Sequence, residues 1–170
     1  SQAQAGRPIQ TENRMEPEAR LMAPGRPGRA LRRAPERLHD ARGAAARADD
    51  STARGTATGA LHGVPVAVKE SFGVEGHPCT WGVPALKHSK APAHAVAVRR
   101  LLDAGAILLG ATNVPFELMD AQSFNDIYGT TNNPWDLTRT PGGSSGGTAA
   151  CLAAGMAFLG TGSDIGGSIR

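Results

Sequence analysis

Short apolar runs on either side of one helical pattern dictate how this chain folds. The run Val64-Pro-Val-Ala-Val68 is rich in β-branched residues and ends at the charged pair Lys69-Glu70, which is typical of a buried strand. Residues 95–104 place their large apolar side chains on one helical face, and Gly105 ends that helix. A second apolar run, residues 106–109, follows directly. Because a strand, a helix and a second strand in this order form a parallel pair, the sequence predicts an α/β fold.

Residues 1–60 differ in composition from the rest of the chain. They hold 11 arginines and 7 acidic residues, with no lysine and no aromatic residue, whereas residues 61–170 hold 7 basic and 8 acidic residues. So few apolar groups cannot offset the entropy lost on ordering the segment. We therefore expect a basic, low-aromatic tail over residues 1–60, disordered, irregular or weakly helical, and a folded part over residues 61–170. A nucleic-acid-binding arm is the weaker alternative, because no aromatic side chain is available to stack on bases.

Targeting and metal-binding patterns are missing from the sequence. No apolar run reaches the length of a membrane span, and the first residues lack a charged region followed by an apolar core. The two cysteines, Cys79 and Cys151, do not form a paired motif, and the histidines have no ligand spacing. We expect a cytoplasmic protein without a membrane partner or a metal.

A glycine- and serine-rich block, Pro141-Gly-Gly-Ser-Ser-Gly-Gly147, precedes a helix predicted over residues 148–158 and ends a turn-rich loop, residues 121–143. Backbone N–H groups of such a block can hold a phosphate or an oxyanion. The phosphate interpretation is the weaker one, because no Gly-Lys-Ser or Gly-Lys-Thr follows. A nucleophile elbow centred on Ser144 is also disfavoured, because the apolar strand that this motif requires does not precede it.

A second serine, Ser168, follows two glycines near residue 170. The glycines allow neighbouring N–H groups to converge on one oxygen, as an oxyanion hole requires. A serine nucleophile also needs a base, and no histidine has a recognisable partnership with either serine motif. The remaining candidate is Lys69, since desolvation at the end of an apolar strand favours its neutral form.

The chain resembles the amidase signature family over roughly residues 60–170. Four segments carry the resemblance: Leu61-His-Gly-Val-Pro-Val-Ala-Val-Lys-Glu70, Asn125-Asp-Ile-Tyr-Gly-Thr-Thr-Asn-Asn-Pro-Trp-Asp136, the block at 142–147, and Gly162-Ser-Asp-Ile-Gly-Gly-Ser-Ile-Arg170. Glu70 departs from the aspartate that the family often has after its lysine.

The resemblance implies a catalytic triad of Ser168 as nucleophile, Lys69 as base and Ser144 as the bridging serine with a cis peptide bond. Ser144 is chosen over Ser145 by the family's spacing to the nucleophile. The implied oxyanion hole consists of the N–H groups of Ile165, Gly166, Gly167 and Ser168. The candidate supporting residues are Gly142, Gly143, Ser145, Asp164 and Arg170. For Asp164 and Arg170 two interpretations stay open, a brace for the nucleophile loop and an ordinary ion pair.

The fold implied by the resemblance is a mixed sheet with flanking helices, incomplete in this chain because family members are longer. The implied activity is hydrolysis of the carbon–nitrogen bond of a small carboxamide through a serine acyl-enzyme, without metal or organic cofactor. We expect the chain alone to be inactive or weakly active, and a homodimer is possible for the full-length enzyme. Two alternatives remain open: an amidotransferase subunit that uses glutamine-derived ammonia on charged tRNA, and a non-catalytic fragment or pseudoenzyme.

Overall fold

The computed structural model describes residues 35–57 and 59–170. In chain order, its helices and strands are α1 (Pro35–Ala53), β1 (Pro65–Lys69), α2 (Val96–Asp103), β2 (Ile107–Thr112), β3 (Phe124–Asn125), β4 (Gly129–Thr130), α3 (Gly146–Ala153) and β5 (Leu159–Gly160). Short 3-10 turns lie at Pro84–Leu86 and Phe116–Leu118. None of the helices in these ranges is long and apolar enough to cross a bilayer.

The predicted strand, helix and parallel strand are confirmed as β1, α2 and β2. β1 lies at the centre of a three-stranded sheet, parallel to β2 on one side and to β5 on the other. Val98 of α2 packs against Val68 of β1 and against Val74, and these three side chains form the buried core cluster. Gly105 follows α2 with a φ of 90°, which a residue without Cβ adopts readily. The α/β class is therefore confirmed.

The helix α1 lies inside the segment expected to be a tail. Residues 41–53 include many alanines, which favour helix, and Ala41 is buried. α1 packs against β2, and His62 Nε2 lies 3.1 Å from the carbonyl oxygen of Ala48 and 3.0 Å from Thr52 Oγ1. Residues 35–53 are thus helical, in line with the weakly helical alternative, because packing against a strand compensates for a weakly apolar composition. A disordered or irregular tail over residues 1–60 stays a prediction. Residues 1–34 lie outside the described residues, and the boundary at residue 60 stays a prediction.

Helix α3 ends earlier than its small-residue pattern predicts. It stops at Ala153, and Gly155 takes a φ of 69° while its N–H donates to the carbonyl oxygen of Leu152. The chain then turns back, and β5 pairs with Val66 and Ala67 of β1. Residues 154–158 are therefore outside the helix, and residues 159–160 form the third strand.

The turn-rich loop at 121–143 contains the short antiparallel pair β3 and β4. Two buried asparagines hold it: Asn113 Nδ2 donates to the carbonyl oxygens of Ser123 and Gly129, and Asn125 Nδ2 donates to Asn113 Oδ1. Buried amides satisfied in this way stabilise irregular backbone. The loop is thereby packed beside the block that begins α3.

Candidate active site

Lys69 occupies the end of the central strand, where its side chain is fully buried. Its backbone N–H donates to Thr161 Oγ1 at 2.8 Å, which ties the end of β1 to the segment after β5. A lysine in such surroundings must find polar partners for its amine, since burying an unpaired charge is costly. Those partners are serines from two other segments.

Ser144 and Ser145 lie immediately before α3 and meet the amine of Lys69. Lys69 Nζ lies at hydrogen-bond distance from Ser144 Oγ, at 2.7 Å, and from Ser145 Oγ, at 3.0 Å. Ser144 is fully buried, and the peptide bond between Gly143 and Ser144 is cis, at the residue for which the family resemblance implied it. Both serines are therefore held at the strand end by a lysine far away in sequence.

Ser168 completes a continuous line of polar atoms. Ser144 Oγ and Ser168 Oγ lie 3.0 Å apart, and the N–H of Ser145 donates to the carbonyl oxygen of Ser168 at 3.2 Å. The order Lys69 Nζ, Ser144 Oγ, Ser168 Oγ gives two consecutive contacts of hydrogen-bond length. The structure thus brings together the three residues that the sequence selected.

Close backbone approaches explain the glycines around these serines. A Cβ atom on Gly143 would lie 2.2 Å from the carbonyl oxygen of Asp120, and one on Gly147 would lie 2.3 Å from that of Asn113. Gly142 has a φ of 89°, a conformation that side-chain-bearing residues rarely adopt. The block therefore packs directly on the backbone of Asn113 and of residues 120–122, which positions Ser144 and Ser145.

Burial lowers the pKa of Lys69 below the usual lysine range, because desolvation penalises the ammonium form. The negative charge of Asp164 opposes this shift. The neutral amine, which can accept a proton, is consequently more accessible here than at an exposed lysine.

Asp164 and Arg170 brace the turn that carries Ser168. Asp164 Oδ1 accepts from the N–H of Gly167 at 2.6 Å, and Oδ2 accepts from the N–H of Ile169 at 3.3 Å and from Arg170 Nε at 3.0 Å. The hydrogen bond from Arg170, followed by that from Gly167, holds the pKa of Asp164 well below its usual range. Asp164 is therefore an anion that fixes the backbone on both sides of Ser168.

The carboxylate of Asp164 also limits which N–H groups can form the implied oxyanion hole. The N–H of Gly167 already binds Asp164, so in this structure it is not free to bind an oxyanion. Over residues 35–57 and 59–170, the N–H groups of Ile165, Gly166 and Ser168 donate no hydrogen bond. These three remain as candidate donors, and their role stays a prediction.

Ser163 is a neighbour of the lysine that sequence reasoning missed. Lys69 Nζ lies 2.8 Å from Ser163 Oγ and 3.4 Å from its carbonyl oxygen. The residue stands beside Asp164 in the segment already singled out, but no spacing rule distinguishes it from any other serine in a turn.

Other potential sites in the described residues are less suited to chemistry. A cavity of about 200 Å³ lies between α1 and β2 and is lined mainly by apolar residues, none of them a predicted site residue. Within the ranges that the structure covers, no three histidine, cysteine or acidic side chains come together as metal ligands would. The serine cluster around Lys69 is thus the candidate active site.

Comparison with known proteins shows which family the described part of the chain matches. A family model described as Amidase matches residues 35–170. Indoleacetamide hydrolase of Bradyrhizobium diazoefficiens is 47% identical over 127 residues, which cover 75% of this chain and 24% of that protein. A glutamyl-tRNA(Gln) amidotransferase subunit of Anaeromyxobacter sp. strain K is 48% identical over 130 residues, or 76% of this chain and 26% of that protein.

A solved structure shares the fold as well. The native peptide amidase of Stenotrophomonas maltophilia superposes with a TM-score of 0.67 at 32% sequence identity, covering 83% of this chain and 30% of that one. The chain spans about a quarter of the length of the curated relatives it matches.

Proposed function

This chain belongs to the amidase family, and on that basis we propose that it hydrolyses the carbon–nitrogen bond of a small carboxamide through a serine acyl-enzyme. One observation carries the proposal: Lys69 Nζ, Ser144 Oγ and Ser168 Oγ form an unbroken line with steps of 2.7 and 3.0 Å. A nucleophile, a bridging hydroxyl and a desolvated base at hydrogen-bond distance are what an activated serine requires.

In the first half of the reaction, Ser168 Oγ attacks the amide carbonyl carbon. The Ser168 proton passes to Ser144 Oγ while Ser144 gives its own proton to the neutral amine of Lys69. The negative charge that develops on the carbonyl oxygen is held by the free N–H groups of the turn at residues 165–168.

In the second half, the tetrahedral intermediate collapses and the carbon–nitrogen bond breaks. The proton stored on Lys69 returns through Ser144 to the leaving nitrogen, which departs as ammonia or an amine. Water then attacks the ester carbonyl of the acyl-enzyme, the same relay takes its proton, and a carboxylic acid leaves as Ser168 is restored.

Labelling with a fluorophosphonate probe tests this assignment without requiring a complete substrate pocket. Ser168 Oγ attacks the probe's phosphorus, fluoride leaves, and a stable adduct remains. We expect mass spectrometry of the labelled chain to place the adduct on Ser168. The labelling rate should fall at least about 100-fold in Lys69→Ala, the smaller of the effects usual for losing a general base, and no adduct should form in Ser168→Ala.

The matched controls are Lys87→Ala and Ser89→Ala, which change exposed residues of the same types. Both should label at the parent rate. An adduct on Ser144 or Ser145 instead of Ser168, an unchanged rate in Lys69→Ala, or no labelling of a chain whose circular dichroism shows folded structure would refute the proposal. The last result would favour a non-catalytic scaffold.

A second candidate function is that of an amidotransferase subunit, favoured by the 48% identity to the glutamyl-tRNA(Gln) amidotransferase subunit of Anaeromyxobacter. The same serine would then release ammonia from glutamine for transfer to charged tRNA. Measuring ammonia release from glutamine and from indoleacetamide, with and without the other amidotransferase subunits of Anaeromyxobacter, separates the two functions. Glutamine-dependent release that requires those subunits would favour the amidotransferase.

A further inference from the structure

The amine of Lys69 has more neighbours than a two-serine relay explains. Besides Ser144, it contacts Ser145 Oγ at 3.0 Å, Ser163 Oγ at 2.8 Å and the Ser163 carbonyl oxygen at 3.4 Å. Ser163 belongs to the segment between β5 and the turn that carries Ser168. A third segment of the chain therefore reaches the base.

Ser145 can only accept from the lysine, because its own hydrogen is already used. Ser145 Oγ donates to the Ser163 carbonyl oxygen at 3.2 Å and accepts from the Ser163 N–H at 3.3 Å. A hydroxyl has one hydrogen and two lone pairs. The remaining lone pair of Ser145 faces Lys69, so this contact uses one N–H of the amine.

The neutral amine has two N–H groups and one lone pair, and only the lone pair can take a proton from Ser144. One N–H goes to Ser145, so the direction of the lone pair depends on where the second N–H goes. If Ser163 Oγ accepts it, the lone pair faces Ser144. If Ser144 Oγ accepts it, the lone pair faces away and the relay cannot start.

We propose that Ser163 is a positioning residue that binds the second N–H of neutral Lys69 and so directs the lone pair of the amine toward Ser144. This inference rests on the proposed function, since it assigns a role within the same relay. Ser163 does not touch the substrate carbonyl in this scheme and acts only through Lys69.

The charged groups around Lys69 determine how the labelling rate depends on pH when Ser163 is replaced. Asp164 raises the pKa of Lys69 by its negative charge and is itself paired with Arg170. Glu70 accepts from Thr80 and Trp81, on the opposite side of β1 from the serines. Thr112 of β2 and Thr148 of α3, which hydrogen-bond to each other, carry no charge.

Removing Ser163 Oγ should therefore have two effects at once. The ammonium form loses one acceptor, so the pKa of Lys69 falls and the acidic limb of the labelling rate moves to lower pH. The neutral amine loses its orientation, so the plateau rate falls as well. A substitution that merely loosened the fold would lower the rate without moving the limb in this direction.

The experiment measures fluorophosphonate labelling of the 170-residue chain against pH for Ser163→Ala, Ser163→Thr and Ser89→Ala. We expect Ser163→Ala to lower the plateau rate by roughly tenfold, the equivalent of one modest hydrogen bond, with the acidic limb at lower pH. Ser163→Thr keeps the hydroxyl and should restore both the rate and the limb to near the parent. The exposed Ser89→Ala should match the parent throughout.

The outcomes separate this inference from the proposed function. A parent-like rate and profile in Ser163→Ala, with labelling still lost in Lys69→Ala, would overturn the role of Ser163 and leave the relay standing. The inference would also fail if Ser163→Thr labelled as poorly as Ser163→Ala while unfolding in urea like the parent. Labelling that is unchanged in both Lys69→Ala and Ser168→Ala would instead remove the proposed function itself.

Discussion

At the scale of single residues, the end of β1 holds two adjacent ionisable side chains that are both buried, Lys69 and Glu70. Such residues are rarely buried unless they are paired or hydrogen-bonded. Because successive strand residues face opposite sides, Lys69 enters the serine cluster while Glu70 serves another loop. Glu70 Oε1 accepts from the N–H and the hydroxyl of Thr80, and Oε2 accepts from the N–H of Trp81.

Glu70 therefore holds the loop that contains Trp81, which has a positive φ of 52°. Burial raises the pKa of Glu70, and the hydrogen bonds from Thr80, Trp81 and Tyr128 oppose that shift. Since the folded-state pKa is raised, the proton-linked part of the stability is full below the pKa of an unfolded glutamate and is lost as pH rises through the raised value. The hydrogen bonds that the carboxylate oxygens accept from Thr80 and Trp81 remain at neutral pH and still hold the loop.

We predict that Glu70→Gln lowers the free energy of unfolding by about 1–3 kcal/mol at neutral pH. Glutamine has one side-chain oxygen where glutamate has two, so its NH₂ group takes the place of one oxygen of Glu70. The N–H group of Thr80 or Trp81 that this oxygen accepts from in the parent is then left unpaired. Urea denaturation measures the change. Glu75→Gln, at an exposed acid, is the control and should shift stability by less than about 0.5 kcal/mol. Equal stability of the two variants would contradict the role given to Glu70.

At the scale of elements, the site depends on how closely α3 approaches the segment after β2. Gly147, in the first turn of α3, lies against the backbone of Asn113, and the Cβ of any other residue would clash with the nitrogen and oxygen of Asn113. The helix begins directly after the serine pair, so this contact sets the distance from the serines to Lys69. Thr148 reinforces it by hydrogen-bonding to Thr112 at 2.6 Å.

We predict that Gly147→Ala lowers the free energy of unfolding by about 1–3 kcal/mol, the usual effect of overpacking, although alanine normally favours a helix. The matched control is Gly43→Ala in α1, where a Cβ would meet only the flexible end of Arg47 at 3.3 Å. That variant should gain about 0.5–1 kcal/mol. Urea unfolding of both variants tests the difference, and a stabilised Gly147→Ala would show that α3 does not approach Asn113 this closely.

At the scale of the whole molecule, the described part of the chain exposes several large apolar side chains. Phe158 is 87% exposed, Met119 is 82% exposed and Trp135 is 71% exposed. The buried core is small by comparison and centres on three valines. Exposed apolar surface of this kind favours association with other surfaces.

We predict that the chain self-associates in concentrated solution, and that a double variant, Phe158→Ser with Trp135→Ser, associates less. Sedimentation velocity over a dilution series measures the change, since an associating chain sediments more slowly as it is diluted. Lys87→Ser, at an exposed polar position, is the control and should behave like the parent. A parent chain with the same sedimentation coefficient at every concentration would contradict the prediction.

Local features of the sequence were sufficient to predict β1, α2 and β2 and the α/β class. Their signals are short-range: β-branched runs, a helical apolar face and a glycine after the helix all act within a few residues. Residue types and positions made Lys69 and Ser168 the candidate base and nucleophile, and the resemblance of whole segments to a family selected Ser144 and gave the triad. The structure places the three side chains in line.

Only the tertiary structure decided which distant segments of the chain come into contact. Four contacts join groups that belong to different segments or turns of the chain. Helix α1 packs on β2, β5 pairs with β1, Ser163 contacts Lys69, and Asp164 accepts from the Gly167 N–H. Residue types and spacings show which groups can donate or accept a hydrogen bond. Which of them meet depends on the approach of backbones in space, and that approach follows from packing over the whole fold.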